Sequence, residues 1–283
     1  MPARGREKAM ITETTSPPSG LASPSCSISS VVMFSSGISS WAAGKRWAEM
    51  HGTDGMRLLF ADTGIEDEDN YRFLHEAADN IGAPLIILKD GRDPFQVMRD
   101  ERIIGNSMFD PCSKLLKRKL LLEWEKKNIL PSTPKIFGLL WDESHRLERM
   151  QKHDPTKNYV APLCEKPWVS KADTLRWAKA EGIEPPRMYA MGFPHANCGG
   201  FCVKAGQATF RILLREFPER FRAAEVWELE MQEYLNTDMT VLKRTVNGER
   251  HNMTLREFRE RIEADESSYD QFDFGGCACA LPS

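Results

Sequence analysis

Short apolar runs alternate with helical patterns through the first half of the chain. Residues 31–34, 56–61 and 84–88 form compact, largely apolar runs that predict buried strands. Helical patterns follow the first two runs, over residues 41–50 and 66–80. Because strands and helices alternate, we predict an α/β fold with an open, mostly parallel sheet and helices on both faces.

The second half of the chain predicts more helix than strand. Residues 114–127 form a basic helical pattern, and residues 135–141 predict a further strand. Ser170 and Asp173 stand three positions apart, which predicts the N-terminal cap of a helix over residues 170–181. The C-terminal region predicts three more helices, over residues 206–219, 223–235 and 254–264.

Changes in composition divide the chain into three regions. Residues 1–29 are rich in Ser, Thr and Pro and lack apolar periodicity, which predicts a disordered tail. Residues 30–205 contain the alternating strands and helices and form the predicted α/β domain. Residues 206–283 form a predicted helical C-terminal extension that ends in a Cys-rich tail.

Composition and charge exclude several classes of protein. The 283 residues carry 38 Lys and Arg against 41 Asp and Glu, and this net charge of −3 argues against a protein that coats polyanions. No run of about 18 apolar residues occurs, so we expect no membrane span and no membrane partner. The basic N-terminus lacks an apolar stretch, so we expect no signal peptide and a cytoplasmic location. In that setting seven cysteines indicate metal or redox chemistry rather than disulfides.

A serine-rich turn between the first strand and its helix is the first chemical signal. Residues 35–40 read Ser-Ser-Gly-Ile-Ser-Ser. A helix N-terminus presents backbone N–H groups and a positive dipole, and the hydroxyls of Ser35, Ser39 and Ser40 add donors. The turn therefore predicts a phosphate or pyrophosphate site, with an ordinary Ser/Gly turn as the alternative. It is not a Walker loop, because no Gly-Lys-Ser/Thr ends it.

The second strand ends in Asp62-Thr63-Gly64, followed by four acidic residues among the next five. Ligands of an open parallel sheet bind outside the carboxyl ends of its strands, so this turn is a second candidate for the same site. The alternative is a capped turn in which Asp62 or Thr63 begins the next helix.

Basic side chains in the middle of the chain are candidates for anion binding. Lys117 and Arg118 lie near the start of the basic helical pattern, and Arg146 follows the strand predicted over residues 135–141. Guanidinium forks and ammonium groups suit phosphate or sulfate oxygens. A solvated helix face is the alternative.

Two cysteines frame the sequence Gly-Gly-Phe between Cys198 and Cys202. Glycines let the backbone approach an ion or a cluster closely, and thiolates are ligands for zinc and for iron–sulfur clusters. Two ligands do not complete a site, so free or redox-active thiols remain an alternative.

The serine-rich turn resembles the Ser-Gly-Gly-x-Asp-Ser loop of the PP-loop ATP pyrophosphatases, also called adenine nucleotide alpha-hydrolase-like proteins. Ser36 stands where that family usually has Gly, and Ser39 where it usually has Asp. Further motifs resemble the PAPS/APS reductase branch in the same chain order. These motifs are the Asp-Thr-Gly turn, Cys112 with its basic helix start, the segment from Gly138 to Arg146, and Cys198-Gly-Gly-Phe-Cys202. The resemblance covers residues 31–205 and is closest to PAPS reductase-like proteins often found in phage and mobile elements.

The resemblance implies ATP or a related adenine nucleotide, a 4Fe–4S cluster and Mg²⁺ as cofactors. The residues it implies for nucleotide binding are Ser35, Ser36, Gly37, Ser39, Ser40, Phe60, Asp62, Thr63, Gly64, Gly138, Glu143 and Ser144. The residues it implies for catalysis are Ser40, Lys117, Arg118, Arg146, Cys277 and Cys279. The cluster ligands it implies are Cys112, Cys198 and Cys202, with a fourth from Cys164, Cys277 or Cys279.

Three functions fit these features. The first is an enzyme that acts at the α-phosphate of its nucleotide, releasing pyrophosphate, in sulfur transfer or nucleic-acid modification. The second is a phosphoadenylyl- or adenylyl-sulfate reductase, in which a tail thiolate attacks the sulfate sulfur and a thioredoxin-like partner releases sulfite. The third is a non-catalytic nucleotide-binding module, which the Ser at position 39 favours. The expected partners are the nucleotide, a nucleic acid or a thioredoxin-like protein, and an oligomer is compatible with all three.

Overall fold

A computed structural model describes residues 10–13 and 27–276 of the chain. The strands are β1 (Met10–Glu13), β2 (Ser30–Met33), β3 (Met56–Asp62), β4 (Leu85–Lys89), β5 (Lys135–Ile136), β6 (Tyr159–Val160), β7 (Leu242–Val246) and β8 (Glu249–Met253). The α-helices are α1 (Ile38–His51), α2 (Glu68–Ile81), α3 (Pro94–Asp100), α4 (Leu120–Asn128), α5 (Ser144–His153), α6 (Lys171–Ala180), α7 (Arg187–Ala190), α8 (Gln207–Glu216), α9 (Pro218–Leu235) and α10 (Leu255–Ala264). A π-helix over Ser113–Lys119 leads directly into α4.

Six strands form one sheet in the order β1-β4-β3-β2-β5-β6. The five strands from β2 to β6 are parallel, and β1 pairs antiparallel with β4 at the edge. In the central register Val32 of β2 lies opposite Leu58 of β3 and Ile136 of β5. The predicted α/β fold with a mostly parallel sheet is therefore confirmed.

Alternate residues of the central strands enter two separate hydrophobic cores, one on each face of the sheet. Val32 and Leu58 pack in the core that includes α1, α2 and α6. Val31 and Leu59 pack in the core that includes α4 and α5. Strands buried on both faces carry apolar side chains at consecutive positions, which explains why they appeared as continuous apolar runs in the sequence.

Local capping signals fix several helix boundaries. Ser170 and Asp173 form the predicted capping box at the start of α6. Asp67 caps α2 by accepting the backbone N–H of Asp69, so the capping residue is neither Asp62 nor Thr63. The helix predicted from residue 41 begins three residues earlier, with Gly37 as its N-cap. The serine-rich turn therefore ends in the first turn of α1.

The structure differs from the sequence-based prediction in three elements. β1 lies inside the tail that we predicted to be disordered, where four residues pair with β4. The strand predicted over residues 135–141 has only two residues in the ladder, after which the chain leaves the sheet. The C-terminal region contains the antiparallel hairpin β7–β8 as well as helices.

A third core joins the C-terminal helices to earlier parts of the chain. Phe210, Phe221 and Phe258 pack in it with Met98 and Phe193. This core therefore crosses the boundary that we predicted at residue 205. Within the described residues, none of the helices has the length and hydrophobicity needed to cross a bilayer.

Candidate functional site

An open cavity of about 400 Å³ lies at the carboxyl ends of the central strands. Its wall comes from the ends of β2 and β3, from the chain that follows β5, and from the first turn of α1. Open parallel sheets bind their ligands at this position. The predicted site residues that line it are Ser35, Gly37, Ser39, Ser40, Phe60, Lys117, Gly138, Glu143 and Arg146.

The Ser40 hydroxyl organises the serine-rich turn. Its Oγ donates to the carbonyl of Gly37 at 2.8 Å and accepts the backbone N–H of Ser35 at 3.2 Å. The Oγ of Ser35 lies 3.3 Å from the Oγ of Ser40. The hydroxyl of Tyr189 accepts the backbone N–H of Ile38 at 3.1 Å. Part of the hydrogen-bonding capacity that we assigned to an anion therefore holds the turn in shape.

Ser36 shapes the turn but does not line the cavity. Its φ of 59° lies in the left-handed region, which favours Gly. The side chain is fully buried, and its Oγ donates to the carbonyl of Asn70 at 2.9 Å. The predicted nucleotide contact at Ser36 is therefore replaced by a bond to α2.

Gly138 brings the chain after β5 against the start of α1. A Cβ built on Gly138 would lie 2.6 Å from the carbonyl carbon of Ser39 and from the nitrogen of Ser40. Both contacts are with backbone atoms, so no side-chain rotation can relieve them. Only glycine allows this close approach, which sets the distance between two walls of the cavity.

Three cations line the cavity, and one of them was missed in the sequence analysis. Lys117 and Arg146 were expected, and Lys171 at the start of α6 is the third. The Nζ of Lys171 lies 3.3 Å from the Oγ of Ser39 and 4.8 Å from the centre of the Tyr189 ring. Nothing local to residue 171 indicates this role, because the loop that it contacts is 132 positions away.

Arg118 does not reach this cavity. It lies on the wall of a separate groove and forms an ion pair with Asp110, at 3.4 Å between nitrogen and oxygen. Consecutive residues of a helix point in different directions, and here Lys117 and Arg118 line different cavities.

The Asp-Thr-Gly turn has structural partners. Asp62 accepts the backbone N–H of Gly64 at 2.8 Å and the hydroxyl of Tyr71 at 2.7 Å, and it forms an ion pair with Lys89 at 2.7 Å. Neither Asp62 nor Gly64 lines the cavity, and Thr63 faces a different one. Asp62 therefore holds the shape of the turn, although it is not the helix cap that the alternative interpretation predicted.

Glu143 and Arg146 form an ion pair on the cavity wall. Glu143 also accepts the backbone N–H of Leu140 at 3.2 Å, which holds its carboxylate near the chain that follows β5. Ser144, predicted to bind nucleotide, begins α5 and lies outside the wall. Asp142 and Glu143 are the carboxylates on the wall that could hold a Mg²⁺ ion.

Three of the predicted thiols surround a second, much smaller cavity of about 20 Å³. Cys112, Cys198 and Cys202 line it together with Lys117 and Lys204. Lys117 lines both cavities, so the cavity of the serine-rich turn and the cavity of the thiols adjoin at one side chain.

The buried carboxylate of Glu66 contacts Lys117, which lines both cavities, and Cys198, which lines the smaller one. Glu66 accepts the backbone N–H of Cys198 at 2.5 Å and the hydroxyl of Thr63 at 3.2 Å, and it lies 3.7 Å from the Nζ of Lys117. Burial raises the pKa of Glu66, and the Lys117 ammonium opposes that shift. Glu66 was not predicted as a site residue, because one acid among several after a strand has no distinguishing pattern.

The Cys198 loop has an unusual backbone. Cys198 itself has a φ of 55°, and Gly199 follows with a φ of 57°. A Cβ on Gly199 would lie 2.5 Å from the carbonyl oxygen of Ile65. The first glycine of the Cys-Gly-Gly-Phe-Cys motif therefore lets the cysteine loop pack directly against the end of β3.

Cys164 lies apart from the other thiols. Its Sγ is 3.3 Å from the carbonyl oxygen of Leu140, and it does not line the thiol cavity. Burial, together with the nearby Glu143, raises the pKa of the Cys164 thiol to about 11. The structure therefore does not bring Cys164 together with Cys112, Cys198 and Cys202.

The thiol cavity contains some of the ligands that an iron–sulfur cluster needs. Cys112, Cys198 and Cys202 provide three sulfur donors of the type that iron–sulfur clusters use. In residues 27–276 no three metal-ligating side chains are close enough to form a finished metal site. Cys277 and Cys279 lie outside the described residues. The last described residue, Gly276, donates its N–H to the carbonyl of Lys204 at 3.1 Å.

Comparisons with known proteins add nothing to this geometry. Neither a scan against protein-family models nor a search of curated proteins found a match to the chain.

Proposed function

We propose that this protein is a PP-loop enzyme, similar to PAPS reductases, that binds ATP or a related adenine nucleotide and acts at its α-phosphate. One observation carries the proposal: the cavity lined by the serine-rich turn adjoins a cavity lined by three cysteines, with Lys117 on the wall of both. A nucleotide phosphate chain needs hydroxyl donors, a helix N-terminus and cations, and all three line the larger cavity.

The reaction begins with adenylation of an acceptor oxygen. That oxygen attacks the α-phosphorus, the bond between this phosphorus and the bridging oxygen to the β-phosphate breaks, and pyrophosphate leaves. A sulfur or nitrogen nucleophile then attacks the acceptor carbon, AMP leaves with the original oxygen, and the proton of the nucleophile passes to solvent.

The residues of the larger cavity stabilise the charge that develops in these steps. Lys117, Arg146 and Lys171 are the cations on its wall, and fixed positive groups stabilise the negative charge that moves onto the leaving phosphates. The Ser40 hydroxyl holds the turn, and Gly138 sets its distance from the opposite wall. Asp142 and Glu143 would hold Mg²⁺ bound to the phosphates.

Cys112, Cys198 and Cys202 would hold a 4Fe–4S cluster, with Cys277 or Cys279 as the fourth ligand. When bound, such a cluster supplies an iron site that can hold the sulfur to be transferred. Lys117 and Lys204 keep these thiols in a positively charged environment, and Glu66 holds the backbone of Cys198.

A sulfonucleotide reductase is the second candidate. In that reaction a thiolate of Cys277 or Cys279 attacks the sulfate sulfur, the adenine nucleotide leaves with the bridging oxygen, and a thioredoxin dithiol reduces the thiosulfonate to release sulfite. The contact of Gly276 with Lys204 favours this candidate, because Lys204 also lines the thiol cavity.

A pair of lysine variants tests the proposal. Lys117→Met removes the ammonium that borders both cavities, whereas Lys119→Met removes an exposed ammonium two positions along the same helix. The measurements are nucleotide affinity by calorimetry and conversion of labelled ATP to AMP and pyrophosphate. We expect Lys117→Met to lower turnover by about 100- to 1,000-fold, the usual effect of losing one preorganised charge-stabilising group, and Lys119→Met to retain it.

The same assays separate the alternatives. Thioredoxin-dependent sulfite release from PAPS, lost in Cys277→Ser or Cys279→Ser, would favour the reductase. Nucleotide binding without any turnover would leave a binding module. Absence of nucleotide binding would contradict all three. Iron and labile sulfide analysis of anaerobically purified protein tests the cluster separately, and a protein free of iron would remove that part of the proposal.

A further inference from the structure

A groove of about 630 Å³ lies between the hairpin β7–β8, the start of α8 and the chain that follows α10. Its basic lining residues are Lys204, Lys243, Arg244, Arg250 and Arg261. Two carboxylates, Asp270 and Asp273, also line it, but both accept backbone N–H groups, from Phe272 and Gln207 respectively. The groove therefore has an excess of positive charge that suits an anionic ligand.

Two guanidinium groups in this groove have unsatisfied donors. The Nε atoms of Arg244 and Arg261 are buried and have no hydrogen-bond acceptor among the residues that the structure describes. Arg244 does contact Glu257, at 3.6 Å, and Arg261 donates to the hydroxyl of Ser268 at 3.1 Å, both through other nitrogens. A buried N–H without an acceptor is unfavourable, and an anionic oxygen would satisfy it.

An exposed aromatic ring lies on the same groove. Phe272 is 91% exposed, although its segment is firmly attached to α8. The carbonyl of Asp273 accepts the N–H of Ala208 at 2.9 Å, and the hydroxyl of Thr209 donates to the carbonyl of Phe274 at 3.0 Å. An anchored segment that holds an aromatic ring in water offers a surface on which a planar group can stack.

The positive charge continues to the thiol cavity. Lys204 lines both the groove and the cavity of Cys112, Cys198 and Cys202. The cations come from three separate parts of the chain, namely the hairpin, α10 and the loop that ends at α8. This distribution suits a chain of phosphates better than a single small anion.

We propose that this groove binds a single-stranded nucleic acid and leads it to the thiol cavity. Cations along a groove bind the phosphate backbone, and an exposed aromatic ring stacks on a base, which is the combination that single-strand binding requires. The inference rests on the proposed function, and it names the substrate class: the acceptor oxygen belongs to a nucleic acid.

Binding of fluorescently labelled oligonucleotides, followed by anisotropy at several salt concentrations, tests the inference. Single-stranded RNA, single-stranded DNA and a duplex of the same sequence are the probes. The full-length protein should bind a single strand more tightly than the duplex. The double variant Lys243→Gln/Arg250→Gln should weaken binding tenfold or more, and loss of two phosphate contacts should reduce the slope of log K against log salt by about 1.4.

Two further variants make the result specific. Phe272→Ala should weaken single-strand binding by about 5- to 100-fold and leave the salt slope unchanged, because stacking involves no counterion release. The double variant Arg176→Gln/Lys179→Gln removes the same charge from exposed positions on α6 and should bind as the wild type does. Circular dichroism checks that each variant is folded.

Several outcomes would overturn the inference. One is equal loss of affinity in the α6 control, which would indicate attraction to net charge alone. A second is binding of polyglutamate in the groove as tightly as the oligonucleotide, which would indicate an acidic protein partner. A third is full competition by inorganic phosphate, which would indicate a site for a small anion. Nucleotide affinity at the larger cavity is measured in the same variants and should be unchanged. Failure of oligonucleotide binding is thereby distinguished from failure of the nucleotide site.

Discussion

The close approach at Gly138 leads to the sharpest prediction for this structure. In Gly138→Ala the new Cβ would lie 2.6 Å from two backbone atoms of Ser39 and Ser40 and 2.7 Å from a third. Carbon atoms in favourable contact are about 3.5–4.0 Å apart, so the chain after β5 and the start of α1 must separate by about 1 Å. The φ of Gly138 lies outside the left-handed region, so the steric contact is the whole perturbation.

The expected cost follows from this displacement. Forcing an extra carbon into a packed site costs about 1–3 kcal/mol, and we expect the free energy of unfolding to fall by about 2 kcal/mol. Ser39 and Ser40 line the larger cavity, so the same shift displaces the proposed phosphate site. A misplacement of about 1 Å can lower turnover by about 100-fold.

Urea denaturation followed by tryptophan fluorescence measures the stability, and calorimetry measures nucleotide affinity. Gly276→Ala is the matched control, because a Cβ at that position would meet no atom of residues 10–13 or 27–276 within 4 Å. We expect the control to retain both stability and affinity. If Gly138→Ala changed the free energy of unfolding by less than about 0.5 kcal/mol and left nucleotide affinity intact, the close approach would not be real.

Three further predictions concern buried or paired groups. Burial raises the pKa of Glu228 to about 7 from 4.5. The contribution of Glu228 to the free energy of unfolding is therefore complete below pH 4.5 and is lost as the pH rises to about 7. In the wild type the free energy of unfolding should therefore decline by about 3 kcal/mol over this pH range, and Glu228→Gln should remove that decline. The same decline in the variant would contradict the prediction. The raised pKa of the Cys164 thiol predicts slow alkylation by iodoacetamide at neutral pH. Peptide mass spectrometry measures the rate of this labelling. Labelling of Cys164 as fast as in the unfolded chain would refute the prediction. Asp67 accepts hydrogen bonds from Arg187 and Arg220, each at 2.8 Å. Asp67→Asn should therefore lower the free energy of unfolding by about 2 kcal/mol. An unchanged urea midpoint in this variant would show that the two pairs contribute nothing to stability.

The sheet could be predicted because its central strands are buried on both faces. Strands such as β3 and β4 appear in the sequence as apolar runs bounded by turns. The apolar run over residues 135–141 predicted β5 but not its length of two residues, and the two residues of β6 are too few for any periodic pattern. The hairpin β7–β8 did have a local signal, because Asn247 and Gly248 form its turn with positive φ values, the usual Asn-Gly pair of a tight hairpin.

The candidate site could be predicted only where its residues follow a strand or begin a helix. The serine-rich turn met both conditions, and four of its five predicted residues line the cavity. Lys171 and Tyr189 reach the turn from more than 130 positions away, and no local pattern encodes that distance. Asp62 had the right position, but it already has Tyr71 and Lys89 as partners, and only coordinates can show such contacts.

Lys117 gives the two cavities a common electrostatic element. Its side chain is nearly buried, beside the buried carboxylate of Glu66, so its position is constrained from both sides. An anion in the larger cavity, beside Arg146 and Lys171, and an anion in the smaller one, beside Lys204, would both be attracted to the ammonium group of Lys117. Binding of either anion then weakens the field available to the other, and the buried Glu66 reinforces this competition by offsetting part of the positive charge. A nucleotide in the larger cavity and an anion in the smaller one should therefore weaken each other's binding, and Lys117→Met should reduce that effect.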